Sequence, residues 1–137
     1  MRNMLITFLL FGASLATAAP PVVGRFVWTS DGNDHDRDDI LGDAVLLSII
    51  AAKHAQSSVP VFIYADHIWA TRDQENDMRE SIDQAITLWG GFDGMQVFNA
   101  YREELKNKGE KNAAVQAIVR EINKSSEADP LTIGTGG

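Results

Sequence analysis

The chain of 137 residues carries 19 Asp and Glu against 12 Lys and Arg, a formal net charge of −7, and no cysteine. That length allows a single domain. The acidic balance excludes a nucleic-acid binder acting through phosphate contacts, which needs a basic face, and the missing thiols exclude disulfides and zinc–thiolate centres.

The first residues, MRNMLITFLLFGASLATAAPP, combine one early positive charge at Arg2, an apolar run from Met4 to Leu15, and small residues at Ala16 and Ala18. This pattern predicts a signal peptide over residues 1–18, cut after an Ala-x-Ala site. A membrane anchor is the weaker alternative: the run is shorter than the roughly 20 residues that span a bilayer, and Pro20-Pro21 follows at once. The mature part, 19–137, is then expected outside the cell or in the periplasm, free of the membrane. Loss of Arg2 takes its formal charge from −7 to −8, a balance suited to a cation or a neutral substrate.

Short apolar runs alternate with helical stretches along the remainder. Val22 to Thr29 is β-branched and aromatic and predicts a strand. Asp38 to His54 has apolar residues at Leu41, Val45, Ile49 and Ala52, close to the helical period, with acids in its first turn where the helix dipole favours them. Val59 to Tyr64 reads as a strand covered on both faces. Gln74 to Trp89 carries an apolar stripe of Met78, Ile82, Ala85, Ile86 and Trp89, and Gly90-Gly91 ends it. Met95 to Phe98 predicts a third strand. Tyr101 to Asn123 predicts a helix broken near Gly109, with Ala114, Val115, Ile118, Val119 and Ile122 as its buried face. Leu131 to Ile133 predicts a fourth strand running into a glycine turn, an ending that suggests the N-terminal part of a longer domain. The βαβαβαβ order implies an α/β fold, a Rossmann-like parallel sheet with right-handed crossovers and helices on both faces.

Open parallel sheets bind ligands beyond the carboxyl ends of their strands. After the first predicted strand stand Asp31, Asn33, Asp34, His35, Asp36, Asp38 and Asp39; after the second Asp66, His67 and Trp69; after the third Asn99; after the fourth Thr135, Gly136 and Gly137. Six aspartates fall between Asp31 and Asp43. Carboxylates that crowded repel one another and resist desolvation, so a cation among them would relieve both costs. An all-oxygen set suits calcium. The segment is no EF-hand: Asp31 and Asn33 fit, but the sixth position is not Gly and the twelfth is not Glu. The competing account is a helix N-terminus with solvated acids. His67 and Trp69 suit hydrogen bonding and stacking on a sugar, Trp69 equally a packing role against a helix. Arg79 and Glu80 read as a surface pair, His54 as a last helical turn, and the charges of Glu103 to Lys111 as a solvated face.

The strand ending in an acid, followed by Asp34-His35-Asp36-Arg37-Asp38-Asp39 and an apolar helix with Asp43-Ala44, resembles the nucleoside hydrolase superfamily of inosine–uridine-preferring type. That family opens with a strand and an Asp-Pro-Gly-x-Asp-Asp motif. Asp34, Asp38 and Asp39 reproduce its acid spacing, with His35-Asp36 in place of Pro-Gly. A second register sets the first acid at Asp31, directly after the strand. The resemblance implies one calcium ion held by Asp31 or Asp34 with Asp38 and Asp39, and Asp31 or Asp34 as the base taking a proton from water. It implies hydrolysis of an N-glycosidic or related glycosidic bond, as in glycosidases, on a small-molecule nucleoside or glycoside; the substrate-binding candidates, Asn33, His67, Trp69 and Asn99, come from their places beyond the strand ends. Asp66-His67 replaces the family's sugar-touching Gly-Asn pair, and Leu131 to Gly137 resembles its central strand leading to a Gly-Pro turn. Family members are longer, and their later metal-binding acid and histidine have no counterpart here; they also self-associate, which implies a capacity for homo-oligomers. Two rival expectations stand beside this one: a secreted carbohydrate- or cation-binding protein without catalysis, and an inactive fragment whose sheet ends at an exposed edge.

Overall fold

The computed structural model describes residues 24–33, 36–67 and 76–136. The predicted signal peptide, Asp34, His35 and Trp69 lie outside these residues.

Strand β1 (Arg25–Ser30) leads into helix α1 (Arg37–Ala52), and strand β2 (Val61–Tyr64) into helix α2 (Asp77–Trp89). Strand β3 (Gln96–Asn99) is followed by helices α3 (Ala100–Lys106) and α4 (Ala113–Lys124), and strand β4 (Leu131–Gly136) completes the sheet. All pairings are parallel, in the order β3-β2-β1-β4. The expected α/β architecture is therefore present, a four-stranded parallel sheet with helices on both faces.

Alternation along β1 divides the core. Phe26 and Trp28 join the cluster of Leu47, Ile50, Phe62, Tyr64, Met78, Ile82 and Phe92, on the face covered by α1 and α2. Val27 joins Val61, Ile63, Ala114 and Ala117 on the opposite face, under α4. All four residues of β2 are buried, as a central parallel strand requires.

The predicted break between α3 and α4 has a local cause. Gly109 adopts a positive φ of 56°, and buried Asn112 caps α4, its Oδ1 accepting from the N–H groups of Ala114 (2.9 Å) and Val115 (3.3 Å).

Three expectations are corrected. The buried residues of α1 are Asp43, Leu47, Ile50 and Ala51, whereas Leu41, Val45 and Ile49 are more than half exposed. On α4 the buried residues are Ala114, Ala117 and Glu121, and Val115, Val119 and Ile122 face outward. Helix α1 is apolar nearly all round, and the one strong apolar stripe of α4 meets the sheet only along its Ala114, Ala117 and Glu121 edge, so periodicity did not single out the inner faces. The expected glycine turn is instead strand: β4 runs through to Gly136, paired with β1 along its length. The glycines are needed there because the ring atoms of Trp28 cross them. A Cβ on Gly134 would fall 2.7 Å from the indole and 2.9 Å from Phe26, and one on Gly136 2.4 Å from the indole.

Candidate functional site

The acids gather where β1 hands over to α1. Asp31 directly follows the strand, and Asp38 and Asp39 occupy the first turn of α1, where the helix dipole favours negative charge. One turn later Asp43 points back toward the sheet. A cleft of about 240 Å³ is lined by Trp28, Ser30, Asp31, Asp38, Asp39, Gly42, Asp43 and Gly136. Three of the four predicted metal-binding acids, Asp31, Asp38 and Asp39, thus share one cleft at the carboxyl end of the sheet; the fourth, Asp34, is outside the described residues.

Asp43 anchors the cleft floor. It is 3 % exposed; Oδ1 accepts from Trp28 Nε1 (3.1 Å), and Ser30 Oγ lies 2.9 and 3.0 Å from its two oxygens. Burial pushes its carboxyl above the usual range, against the pull of the Ser30 and Trp28 hydrogen bonds. Asp39 is held from the loop side, its Oδ2 accepting from the Asn33 N–H at 2.9 Å. A residue larger than Gly32 would collide with Asp39 and Met78. At the rim Asp36 and Asp38 share a hydrogen bond, which raises the pKa of Asp36 and lowers that of Asp38. The site therefore contains carboxyls of unequal acidity within two helical turns.

The residue types fit a hard cation, since every polar side chain lining the cleft apart from the Trp28 indole offers oxygen. The grouping is looser than a finished metal cage. Among the described residues, no three Asp, Glu or His side chains stand close enough together to hold one ion.

The predicted substrate contacts form a second group beyond β2 and β3. Asp66 is 2 % exposed; its Oδ2 accepts from Asn99 Nδ2 and, at 3.2 Å, from Arg102 Nε, while its buried Oδ1 has no hydrogen-bond partner among the described residues. Asn99 Oδ1 caps α3 by accepting from the Arg102 N–H (3.2 Å), so both polar ends of Asn99 are engaged within the fold. The His67 ring lies 4.4 Å from that of Tyr101, and His67 bridges to Asn33, which links this group to the acidic loop. Trp69 is outside the described residues.

Asp43, Ser30 and Trp28 were not singled out as site residues from sequence. The available signal was an acid one turn beyond Asp39, at helical spacing with the buried Leu47 and Ile50.

No family model and no solved structure matches the chain. A curated relative does: the protein named Uncharacterized protein P22 from Formosa agariphila is 29% identical over 133 residues, covering 89% of this chain and 46% of the relative. The chain thus spans about half the length of the curated relative it matches. Among the described residues no helix is long and apolar enough to cross a membrane.

Proposed function

We propose that the cleft beyond β1 takes a divalent cation, calcium by the chemistry of its lining, and that the protein is a secreted hydrolase of N-glycosidic or related glycosidic bonds of nucleoside-hydrolase type. The observation carrying this reading is the meeting of four aspartates from two elements on one cleft: Asp31 from the strand end, and Asp38, Asp39 and Asp43 from α1. The Asp-x-x-x-Asp-Asp spacing ending in Asp38 and Asp39 supports it independently. Secretion rests on the pattern of the first 18 residues.

Asp38 and Asp39, with Asp31 or Asp34 as the resemblance implies, would hold the ion once their carboxyls draw together, and a bound ion would lower the pKa of its water and orient sugar hydroxyls. The chain's own groups divide the remaining work. Asp31, exposed at the strand end, would accept a proton from water. The Asn33 N–H fixes Asp39, and Ser30 and Trp28 fix Asp43. Negative charge concentrated in the cleft stabilises the positive charge that develops on a sugar ring as its glycosidic bond breaks.

A second reading, a cation- or carbohydrate-binding protein without turnover, is favoured by one observation: the described acids do not form a closed ligand set. Calcium titration followed by thermal unfolding tests the shared premise. Stabilisation growing with ligand as RT ln(1 + [L]/Kd) and abolished in Asp38→Ala is the expected outcome; an unchanged midpoint at millimolar calcium would remove both readings. Release of reducing sugar from nucleosides, lost in the same variant, separates enzyme from binder.

A further inference from the structure

Among the described residues the sheet stops at β4 while the apolar surface does not: strand β4 pairs with β1 and with no second strand. Among the described residues, seven of the ten exposed large apolar side chains lie on α1, α4 and β4: Leu41, Val45, Ile49, Val115, Val119, Ile122 and Ile133. A trough of about 320 Å³ lies between α1 and the starts of β1 and β4, lined in part by Arg25, Phe26, Leu46, Ile50, Lys53 and Thr132. On the opposite face a trough of about 480 Å³ runs between α4 and β4, lined in part by Ile63, Ala114, Val115, Ile118 and Thr135. Going round α1 at 100° per residue, Ile49 and Val45 follow from Leu46; going round α4, Val115 and Ile122 follow from Ile118. Each trough therefore opens onto an apolar helix flank.

We infer that this edge is an interface for a further α/β segment of polypeptide, one that adds a parallel strand beside β4 and lays a helix in each trough. The occupant is the stretch equivalent to the part of the Formosa agariphila relative outside the match, more than half of that chain. Three observations favour it over a second copy. A helix apolar on nearly all sides, as α1 is, belongs in an interior. Parallel strands occur almost only where both faces are covered, and β4 is parallel with an open trough on each. A two-fold pair of copies would join β4 to β4 antiparallel, whereas a βαβ continuation repeats the parallel pattern already built from β3 to β4. The segment would also bound the acidic cleft, whose lining includes Gly136 of β4, so it could bring further groups to that cleft. The interface itself does not depend on what the cleft binds.

The test mixes the full 137-residue chain with the separately produced remainder of the relative, read by sedimentation and circular dichroism without calcium or substrate. A one-to-one complex is expected. It weakens about tenfold or more with Val119→Lys or Ile133→Lys, which would bury an unpaired charge, and is unaffected by Leu88→Lys on α2. If the chain is unfolded alone, recovery of a cooperative melt on mixing gives the same support. Two outcomes overturn the proposal: no complex and no gain of structure, or a homodimer of this chain abolished by the same two substitutions.

Discussion

Asp43 shows how one buried carboxyl ties three elements together: it sits on α1, takes hydrogen bonds from two residues of β1, and does so under an indole that covers β4. Asp43→Ala leaves Trp28 Nε1 and Ser30 Oγ without their acceptor and should cost about 1–3 kcal/mol, read from urea unfolding in chelator at neutral pH. Asp43→Asn keeps an acceptor and removes the charge. The carboxyl's folded pKa is raised by burial, so its ionised form opposes folding above that pKa. The penalty disappears as pH falls to the unfolded value of about 3.9. The Asn variant should therefore equal or exceed the parent at pH 7, with the difference closing toward pH 4 (~4, the unfolded carboxylate value); a gap that widens on acidification would contradict this account. Of the site, Asp31, Asp38 and Asp39 were legible from their place after a strand. The role of Asp43 was not, because its partners Trp28 and Ser30 are set by how α1 folds back over β1, which no local pattern records.

At the level of elements, the existence and order of strands and helices could be read from apolar periodicity, but the inner faces of α1 and α4 could not. Ala117 and Glu121 of α4 are buried against the sheet side while Val119 and Ile122 are exposed, a reversal of hydrophobicity that a sequence pattern ranks wrongly. Glu121 is buried because Arg25, 96 residues away, reaches it from the start of β1. Arg25 Nη1 bonds Glu121 Oε2, its Nε lies 2.7 Å from Asp129, and Lys124 Nζ lies 2.6 Å from Glu121 Oε1. This clamp joins the start of β1 to the end of α4 and to the turn before β4. Arg25→Ala leaves Glu121 with Lys124 as its remaining cation and frees Asp129, and should lower the midpoint of chemical denaturation. Burial alone would raise the Glu121 pKa; the hydrogen bonds from Lys124 and Arg25 prevail and lower it. Its stabilisation is thus complete above the unfolded value of about 4.3 and is lost as pH falls through the lower folded pKa. Glu121→Gln should flatten that acid limb, the opposite sense to Asp43.

For the whole molecule, the sheet is best protected at its centre. Strand β2 lies between β1 and β3 with every residue buried, so the amides of Phe62 and Ile63 should be among the slowest to exchange. Half of the β4 amides point away from β1 in a parallel ladder and should exchange quickly. Hydrogen-exchange mass spectrometry of the chain alone checks this; protection across all of β4 without a partner would be inconsistent with an open edge.

The indole of Trp28 lies between the two regions on which function is proposed to depend, with its nitrogen on an aspartate and its benzenoid ring against the glycine ribbon of β4. It is therefore a natural optical probe: a change of charge below it and the arrival of a neighbouring strand beside it would each alter its emission. With the other two tryptophans, Trp69 and Trp89, replaced by Phe, that one indole reports on both events without any label being attached.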